Sequence, residues 1–290
     1  MNKKYDVAVA WRIYPKVSKQ PIIFSYDKFE LVSVCLKSFK LSTSNLKIKY
    51  FFILDGCPSI YVDLINAIFD NEDVDIIETN AIGNLATFKL QIDLLSEQKY
   101  SDVVYFAEDD YLYVPNEFHK MVSLIRDNKK IDFASCYLHT DTFTHPIHQH
   151  KKHYIDFAGH QWMSDSSTCL TFMTTKNTLL RTKDLLLTYS KGNNDCALWL
   201  VMTKTFIYNP LKYIQFYFTH KESYRILKVA VKRSFKYFFN RRKYTLYVPI
   251  PAIGTHLEKD LTSPDIDWKN LSEKINKGEF DHILQPKVSV

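Results

Sequence analysis

Glycine is scarce in this chain of 290 residues, which contains only six. Neither G-x-G-x-x-G nor G-x-x-x-x-G-K followed by Ser or Thr occurs anywhere in it. Dinucleotide-binding folds and P-loop folds hold phosphates with those glycine-rich turns, so both lose their main support. A fold that is built on a glycine-rich phosphate loop is therefore not expected.

Cysteine is present but forms no recognisable pattern. Five residues are scattered along the chain: Cys35, Cys57, Cys136, Cys169 and Cys196. They form no C-x-x-C pair, which argues against a disulfide framework and against a cysteine zinc site. Reduced thiols in a cytoplasmic protein are the simpler interpretation.

Long apolar runs are also missing. No stretch approaches the length of a membrane-spanning helix, and the first apolar stretch is interrupted by Asp6 and Arg12. That stretch indicates a first strand and not a secretory signal. We therefore expect a protein that is soluble or held at a membrane surface.

Strand and helix patterns alternate over the first half of the chain. The predicted strands are 5–13, 48–54, 74–78 and 103–107, and the predicted helices are 27–39, 58–69, 84–97 and 115–126. Such alternation predicts an α/β fold with a mostly parallel central sheet and helices on both faces. The second half is less regular, with predicted strands at 131–138 and 168–173 and predicted helices at 178–187 and 195–202.

Three consecutive carboxylates, Glu108, Asp109 and Asp110, follow the apolar strand 103–107 directly. Burying three like charges would be very costly, so the chain must leave the core at Glu108. Ligands of open α/β sheets bind at the carboxyl ends of the strands. Carboxylate oxygens at that edge could hold Mg²⁺ or Mn²⁺, and the alternative is an acidic turn on the surface.

Arg12 and Asp55 lie at the ends of the first two predicted strands. Neighbouring strand ends could place both in one cleft at the carboxyl edge of the sheet. There Asp55 could accept a hydrogen bond from a nucleobase or ribose, and Arg12 could donate to a phosphate or base. The alternatives are a turn acid before Gly56 and a surface cation.

Two predicted helices begin with residues that could serve the same cleft. Asn84 follows Gly83, and the helix N-terminus that it opens suits a phosphate or a sugar hydroxyl, although a plain N-cap would look identical. Asp195 begins the helix 195–202. It is either a first-turn acid that favours the helix dipole or a general base towards an acceptor hydroxyl.

Histidine is concentrated in one loop, at His145, His148, His150 and His153. This spacing matches no zinc pattern, so an exposed polar loop near an acceptor is the simpler interpretation. Further candidates for an acceptor pocket follow: Trp162, Ser164 and Asp165. Late in the chain, His256 could supply an imidazole ligand to a carboxylate-bound cation or touch a diphosphate.

Residues 221–243 carry the strongest charge bias, with nine Lys and Arg residues against the single acid Glu222. This excess is larger than the net charge of +6 of the whole chain. The segment could lie in an anionic membrane interface, bind nucleic acid, or form a solvated helix with one buried face. Its aromatic and aliphatic residues favour the membrane surface, and no nucleic-acid motif accompanies it.

Together these features resemble the GT-A class of nucleotide-sugar glycosyltransferases. The acidic motif resembles the D-x-D metal motif of that class, and residues 108–118 are similar to the E-D-D-L-x-V-A-P-D-F-F pattern of the N-acetylglucosaminyltransferase I family. The resemblance implies that Asp110, assisted by Asp109, binds Mn²⁺ or Mg²⁺. It also implies that Arg12 and Asp55 contact the uridine. By the same resemblance, Asp195 is the catalytic base of an inverting enzyme, and His256 contacts the metal or phosphate.

The resemblance further implies a GT-A-like, Rossmann-like catalytic domain over residues 1–220. Residues 221–243 would form a basic helical extension at the membrane surface, and residues 244–290 would return to the active site. The implied activity is sugar transfer from a nucleotide donor, with UDP expected, to a glycan or lipid-linked acceptor. Because the chain lacks the membrane anchor of Golgi enzymes, it resembles a bacterial cytoplasmic enzyme, peripheral on the inner membrane face, that builds capsule, lipopolysaccharide or another surface polysaccharide.

Two other classes stay open. A sugar-1-phosphate nucleotidyltransferase would carry a glycine-rich loop with Arg or Lys after the first strand, and residues 11–15 do not form one. A non-catalytic nucleotide- or membrane-binding module would use the basic segment as its working surface. Such a module would bind nucleotide and metal without hydrolysis or transfer.

Overall fold

The structure is a computed structural model and describes residues 4–17, 19–240 and 242–284. Its strands are β1 (Val7–Ile13), β2 (Ile48–Asp55), β3 (Asp73–Thr79), β4 (Val103–Glu108), β5 (Tyr111–Tyr113), β6 (Phe133–Ala134), β7 (Tyr154–Phe157), β8 (His160–Asp165), β9 (Phe172–Thr175), β10 (Leu246–Ile250) and β11 (Gly254–His256). Its α-helices are α1 (Lys28–Ser42), α2 (Ile60–Ile68), α3 (Asn84–Glu97), α4 (Phe118–Asp127), α5 (Asp141–Thr144), α6 (Lys176–Leu186), α7 (Asp195–Thr203), α8 (Pro210–Thr219), α9 (Lys221–Ser234) and α10 (Trp268–Asn276).

Strands β3, β2, β1 and β4 are adjacent in that order and form the parallel half of the central sheet. Because successive side chains of a strand point to opposite faces, β1 places Val9 and Trp11 in the core on one face and Ala8 and Ala10 in the core on the other. Helices α1, α2 and α4 pack on the first face, and α3, α6 and α7 pack on the second. The expected α/β class with helices on both faces of the sheet is confirmed.

The sheet continues beyond β4 through β9, β6, β10, β8 and β7. Strand β9 runs antiparallel to β4 and β6, whereas β10 runs parallel to β6 and antiparallel to β8. The strand expected over 131–138 pairs only as the two-residue β6, and the strand expected over 168–173 begins later, at Phe172. The late strand β10 therefore lies inside the central sheet, between two strands from the middle of the chain.

Strands β5 and β11 form a separate two-stranded antiparallel sheet in which Tyr111 is the partner of His256. Strand β5 begins one residue after Asp110, so this small sheet lies beside the acidic motif. The pairing joins the middle of the chain to a late segment. It brings His256 to the carboxyl end of β4.

The basic segment begins as α9 and continues into a short 3-10 turn at Phe235–Tyr237. Helix α9 packs against α7 and α8 and buries Leu227 and Ala230, whereas its Lys and Arg side chains are exposed. Two parts of the predicted C-terminal segments, Arg241 and residues 285–290, lie outside the described residues. Within the described part of the chain, no helix is long and apolar enough to cross a membrane.

Candidate active site

A cavity of about 520 Å³ opens at the carboxyl ends of β1, β2 and β4. All eight residues that the sequence singled out for the site line it: Arg12, Asp55, Asn84, Glu108, Asp109, Asp110, Asp195 and His256. The first six lie at the ends of strands β1, β2 and β4, directly after β4, or at the start of α3. The last two come from α7 and β11, so the cavity is completed by the second half of the chain.

Arg12 lines this cavity and is only 7% exposed. Its guanidinium forms an ion pair with Glu108 and donates to the side-chain oxygen of Asn84. Burial works against the charge of Arg12, but Glu108, together with Tyr189 and Asp110, outweighs it and keeps the pKa of Arg12 above its ordinary value. Thr171 Oγ1 donates to the other oxygen of Glu108 at 2.8 Å, so Glu108 is held from two sides.

Asp109 is turned towards the connection between β1 and α1. Its two oxygens accept from Lys28 Nζ and from the backbone N–H of Tyr14, both at 2.7 Å. Burial raises the pKa of Asp109, and the positive charge of Lys28 counters part of that rise. Both oxygens of this carboxylate are therefore engaged: one holds the loop that carries Tyr14, and the other holds the first residue of α1.

Asp110 and His256 form a pair just beyond the carboxyl end of β4. Asp110 Oδ2 lies 3.0 Å from His256 Nε2, and the imidazole stacks on the ring of Tyr111 at 5.2 Å between centroids. Burial alone would raise the pKa of Asp110, but the charge and hydrogen bond of His256, together with the charges of Lys28 and Lys19, outweigh it and hold that pKa below its usual range. Asp110 Oδ1 is buried and has no hydrogen-bond partner among the described residues. One carboxylate oxygen thus remains available to a ligand or cation.

Asp55 is 3% exposed and shapes the loop between β3 and α3. Its Oδ1 accepts from Thr79 Oγ1 and Ile82 N, both at 2.7 Å, and its Oδ2 accepts from Gly83 N at 2.8 Å. A carboxylate offers about four acceptor positions, so these three bonds use most of them. The side chain lines the cavity and fixes the backbone that leads into the first turn of α3.

The N-terminus of α3 opens into the same cavity, which Gly83, Asn84 and Thr87 line. Gly83 has φ +85° and ψ 169°, a conformation that is essentially restricted to glycine. The side-chain amide of Asn84 donates to Tyr189 Oη at 3.1 Å. A helix N-terminus directs backbone N–H groups and the positive end of the dipole at a ligand, which favours anions.

Asp195 is the first residue of α7 and lies at the boundary between this cavity and a second one of about 420 Å³. Its Oδ1 accepts from Cys196 N at 2.8 Å, and Asn194 caps the helix through Ala197 N at 2.7 Å. Burial raises the pKa of Asp195, and the negative charge of Glu108 raises it further. A carboxylate with a raised pKa is a stronger base than an ordinary aspartate.

Sequence reasoning missed several residues of the site. Lys19 and Tyr189 line the cavity but come from irregular segments and a short 3-10 helix, where no local pattern marks them. Lys28 carried a usable signal, since it is the first residue of α1, where a cation opposes the helix dipole and calls for an acidic partner. That partner is Asp109.

The histidine loop divides between different surroundings. His145 and His148 line the second cavity, whereas His150 lies 3.5 Å from the carboxylate of Asp165. Over the described ranges, no group of three or more His, Cys, Asp or Glu side chains is placed to hold a metal ion. A cation in the first cavity would therefore need further ligands from its substrate or from water.

Three residues that were expected to line an acceptor pocket do not line either cavity. Trp162 is fully buried in the core and donates to Phe157 O at 3.1 Å. Asp165 is held by Lys152 Nζ at 2.8 Å, and Ser164 Oγ accepts from His153 N at 2.8 Å. All three belong to β8, and their side chains contact β7 or the segment before it instead of a cavity.

No protein-family model matches the chain, and no curated protein matches it. Among solved structures it is similar to the glycosyltransferase GlyE of Streptococcus pneumoniae TIGR4, with a TM-score of 0.46 and 12% identity over 100% of this chain and 66% of that one. It is also similar to S. aureus TarS 1-349 in complex with UDP-GlcNAc, with a TM-score of 0.44 and 11% identity over 69% of this chain and 53% of that one.

A third similar structure is the mannosyltransferase PcManGT from Pyrobaculum calidifontis in complex with GDP-Man and Mn²⁺, with a TM-score of 0.43 and 10% identity over 80% of this chain and 76% of that one. The chain spans less than two thirds of the length of TarS 1-349 and 66% of that of GlyE. Similarities this remote concern the fold alone.

Proposed function

We propose that the protein is a glycosyltransferase that uses a nucleotide-sugar donor, with UDP as the nucleotide. The observation that carries the proposal is the convergence of a helix N-terminus, the buried Arg12 and the Asp110–His256 pair on one cavity at the carboxyl edge of a parallel sheet. The phosphates of a nucleoside diphosphate can bind at the helix N-terminus, and the polar edges of its base and ribose can form hydrogen bonds with the side chains. The second cavity, which meets the first at Asp195, offers room for an acceptor, and a module that only binds nucleotide would not need it.

The charge balance of the first cavity favours a donor that enters with a divalent cation. Five carboxylates line the cavity: Asp55, Glu108, Asp109, Asp110 and Asp195. Its lining Arg and Lys residues, within the described chain, are Arg12 and Lys19, and each already pairs with an acid. A bare diphosphate would be repelled by these carboxylates, so a cation between them is expected to strengthen binding.

Asp110 and His256 fit such a cation. The buried Asp110 Oδ1 lacks a partner, and carboxylate oxygen suits both Mg²⁺ and Mn²⁺. The ring of His256, which lies against the other oxygen of Asp110, would have to release its proton before a ring nitrogen could act as a further ligand. A cation that has few protein ligands completes its shell with phosphate oxygens and water. When bound, Mn²⁺ or Mg²⁺ would neutralise the leaving diphosphate as a Lewis acid.

The remaining chemistry is assigned to Asp195, Arg12 and α3. Asp195 takes the proton from the acceptor hydroxyl, and that oxygen attacks the anomeric carbon on the side opposite the diphosphate. The bond from this carbon to the diphosphate oxygen breaks, the electron pair leaves with the nucleoside diphosphate, and the configuration inverts. Arg12 and the N-terminus of α3 stabilise the negative charge that develops on the leaving group.

Calorimetry with UDP, GDP, dTDP and CMP, each with and without Mn²⁺, tests the donor site. We expect UDP to bind in a manner that depends on Mn²⁺ and that Asp110→Asn abolishes. The control is Asp127→Asn, which changes an exposed aspartate on α4 that pairs with Arg126. If none of the four nucleotides binds, the glycosyltransferase proposal fails; if UDP binds equally well in Asp110→Asn, the metal assignment fails.

We also infer that the enzyme works at an anionic membrane surface, where it extends a glycan or lipid-linked precursor of a bacterial surface polysaccharide. Helices α8 and α9 pack together, and large apolar side chains are exposed on α8 and directly after α9: Leu211, Ile214, Tyr217, Phe218, Phe235 and Phe239. The exposed charges of α9 are basic except for Glu222. Exposed aromatic groups beside clustered cations match the interface of an anionic bilayer.

Co-sedimentation with vesicles tests this surface. We expect binding to phosphatidylcholine vesicles that contain phosphatidylglycerol, little binding to phosphatidylcholine alone, and release at high salt, because the attraction is partly electrostatic. Phe218→Ser combined with Phe239→Ser should weaken binding. Phe143→Ser, which changes an aromatic ring that is 53% exposed elsewhere, should not. Equal binding of all variants would rule out this surface as the docking site.

A further inference from the structure

The second cavity shares two lining residues, Cys169 and Asp195, with the first cavity, so Asp195 borders both. One wall is formed by the histidine loop, through His145 and His148. Another wall is α9, which contributes Glu222 and Ile226. A molecule in this cavity can therefore present a group to Asp195 while the donor fills the first cavity.

The polar lining of the second cavity consists of three imidazoles, three hydroxyl groups and the carboxylates of Asp141, Asp195 and Glu222. Among its lining residues within the described chain there is no Lys or Arg. A phosphate or carboxylate in this cavity would face three acids without a compensating cation, which is unfavourable. A neutral molecule that carries many hydroxyl groups would instead find both donors and acceptors.

Two local features fit hydroxyl groups in particular. His145 Nε2 lies 3.8 Å from Glu222 Oε2, too far for a direct hydrogen bond, so a hydroxyl can accept from the ring and donate to the carboxylate. Burial lowers the pKa of His148 to about 4, which leaves this ring neutral at pH 7 with one donor and one acceptor nitrogen. Ile147 and Ile226 add apolar surface for the C–H face of a sugar ring.

We propose that the second cavity is the acceptor site and takes the neutral sugar terminus of the acceptor, with one hydroxyl bridging His145 and Glu222 and another directed at Asp195. This inference rests on the proposed glycosyltransferase function and specifies its acceptor. Charged parts of a lipid-linked acceptor would remain outside the cavity. They would lie towards the basic face of α9, whose Lys and Arg side chains are exposed.

Saturation-transfer NMR on the full chain, with UDP and Mn²⁺ present, tests the proposal. The probes are the methyl glycosides of glucose, galactose and N-acetylglucosamine, compared with methyl glucuronide and glucose 1-phosphate. The variants are Glu222→Gln and His145→Asn, in which Asn keeps an acceptor for Ile147 N, now bonded to His145 Nδ1 at 3.3 Å, but removes Nε2. Glu97→Gln, an exposed acid at the end of α3, is the control.

We expect saturable binding of at least one neutral glycoside and a Kd that rises about tenfold in Glu222→Gln and about threefold in His145→Asn. The Kd for UDP should be unchanged in both variants and in the control. Preferential binding of the charged probes, no binding of any neutral glycoside, or neutral binding that both variants leave intact would each overturn the proposal. In those cases the wild type would still bind UDP, and only the acceptor assignment would fail. If the proposed function itself were wrong, the wild type would not bind UDP.

Discussion

Replacing Asp195 with Asn tests the proposed chemistry most directly, because the substitution removes a base and little else. Asn can still accept the hydrogen bond from Cys196 N, now 2.8 Å, and Asn194 still caps α7 through Ala197 N. The helix start should therefore be kept. A positioned general base contributes about 10²–10⁴ in rate, or about 3–5 kcal/mol of the barrier, and we expect a fall in kcat of this size.

The pH dependence supplies a second and independent signature. Burial, with the negative charge of Glu108, raises the pKa of Asp195. Because only the unprotonated carboxylate can take a proton, the rate should rise with pH through that pKa. The acid limb of the profile should therefore lie above the range of an ordinary aspartate, which is about 4. Asp195→Asn should lose this limb.

Donor turnover, measured as UDP release with and without acceptor, is the assay for both signatures. UDP affinity is measured in parallel, since Asp195→Asn should leave it unchanged. Asp184→Asn is the matched control, because Asp184 is an exposed acid on the neighbouring helix α6. If Asp195→Asn retains most of the turnover and the acid limb, the reasoning is refuted and the inverting assignment falls with it. The donor site would then still stand on nucleotide binding.

Two further predictions concern how the site is held. Lys28→Met leaves the buried Asp109 carboxylate without its partner at 2.7 Å, and we expect the free energy of unfolding in urea to fall by about 3–5 kcal/mol. The double variant Lys28→Met/Asp109→Asn should recover much of this loss. If the single and the double variant lose equal stability, the ion pair does not stabilise the fold in this way. Gly83→Ala forces alanine into a conformation with φ near +85°, which costs about 1–3 kcal/mol, and should weaken UDP binding in calorimetry. Gly159→Ala is also strained, at φ +69°, but lies outside the cavity lining and should leave UDP binding unchanged.

The parallel half of the fold and its contribution to the cavity could be predicted from the sequence because both follow from local patterns. Strands β1, β2 and β4 are short apolar runs that are buried on both faces, and a polar residue ends each run or follows it directly. In a parallel sheet these ends share one edge, so Arg12, Asp55 and Glu108 had to lie near each other. Helix α3 was predicted with its observed bounds, because Gly83 and the apolar period mark its start.

The second half could not be predicted in the same way because its strands depend on distant partners. Strands β5 and β11 have three residues each, and nothing in either segment alone indicates that Tyr111 pairs with His256. In β10, Pro249 lacks a backbone N–H and argues against a central strand, although β10 lies inside the sheet. Only the assembled fold therefore brings His256 within reach of Asp110.

The three neighbouring acids have different partners in the structure, which shows why the sequence alone cannot assign a separate role to each. Glu108, Asp109 and Asp110 offer the same carboxylate chemistry at the same strand end. Arg12 and Thr171 engage Glu108, while Lys28 and a backbone N–H engage Asp109. Asp110 differs from both, because the ring of His256 contacts only its Oδ2. Its Oδ1 is buried and has no partner among the described residues. Which acid keeps an oxygen without a partner thus depends on the donors that the rest of the fold supplies to the other two, and those donors come from β1, the loop after it, α1 and the segment before β9.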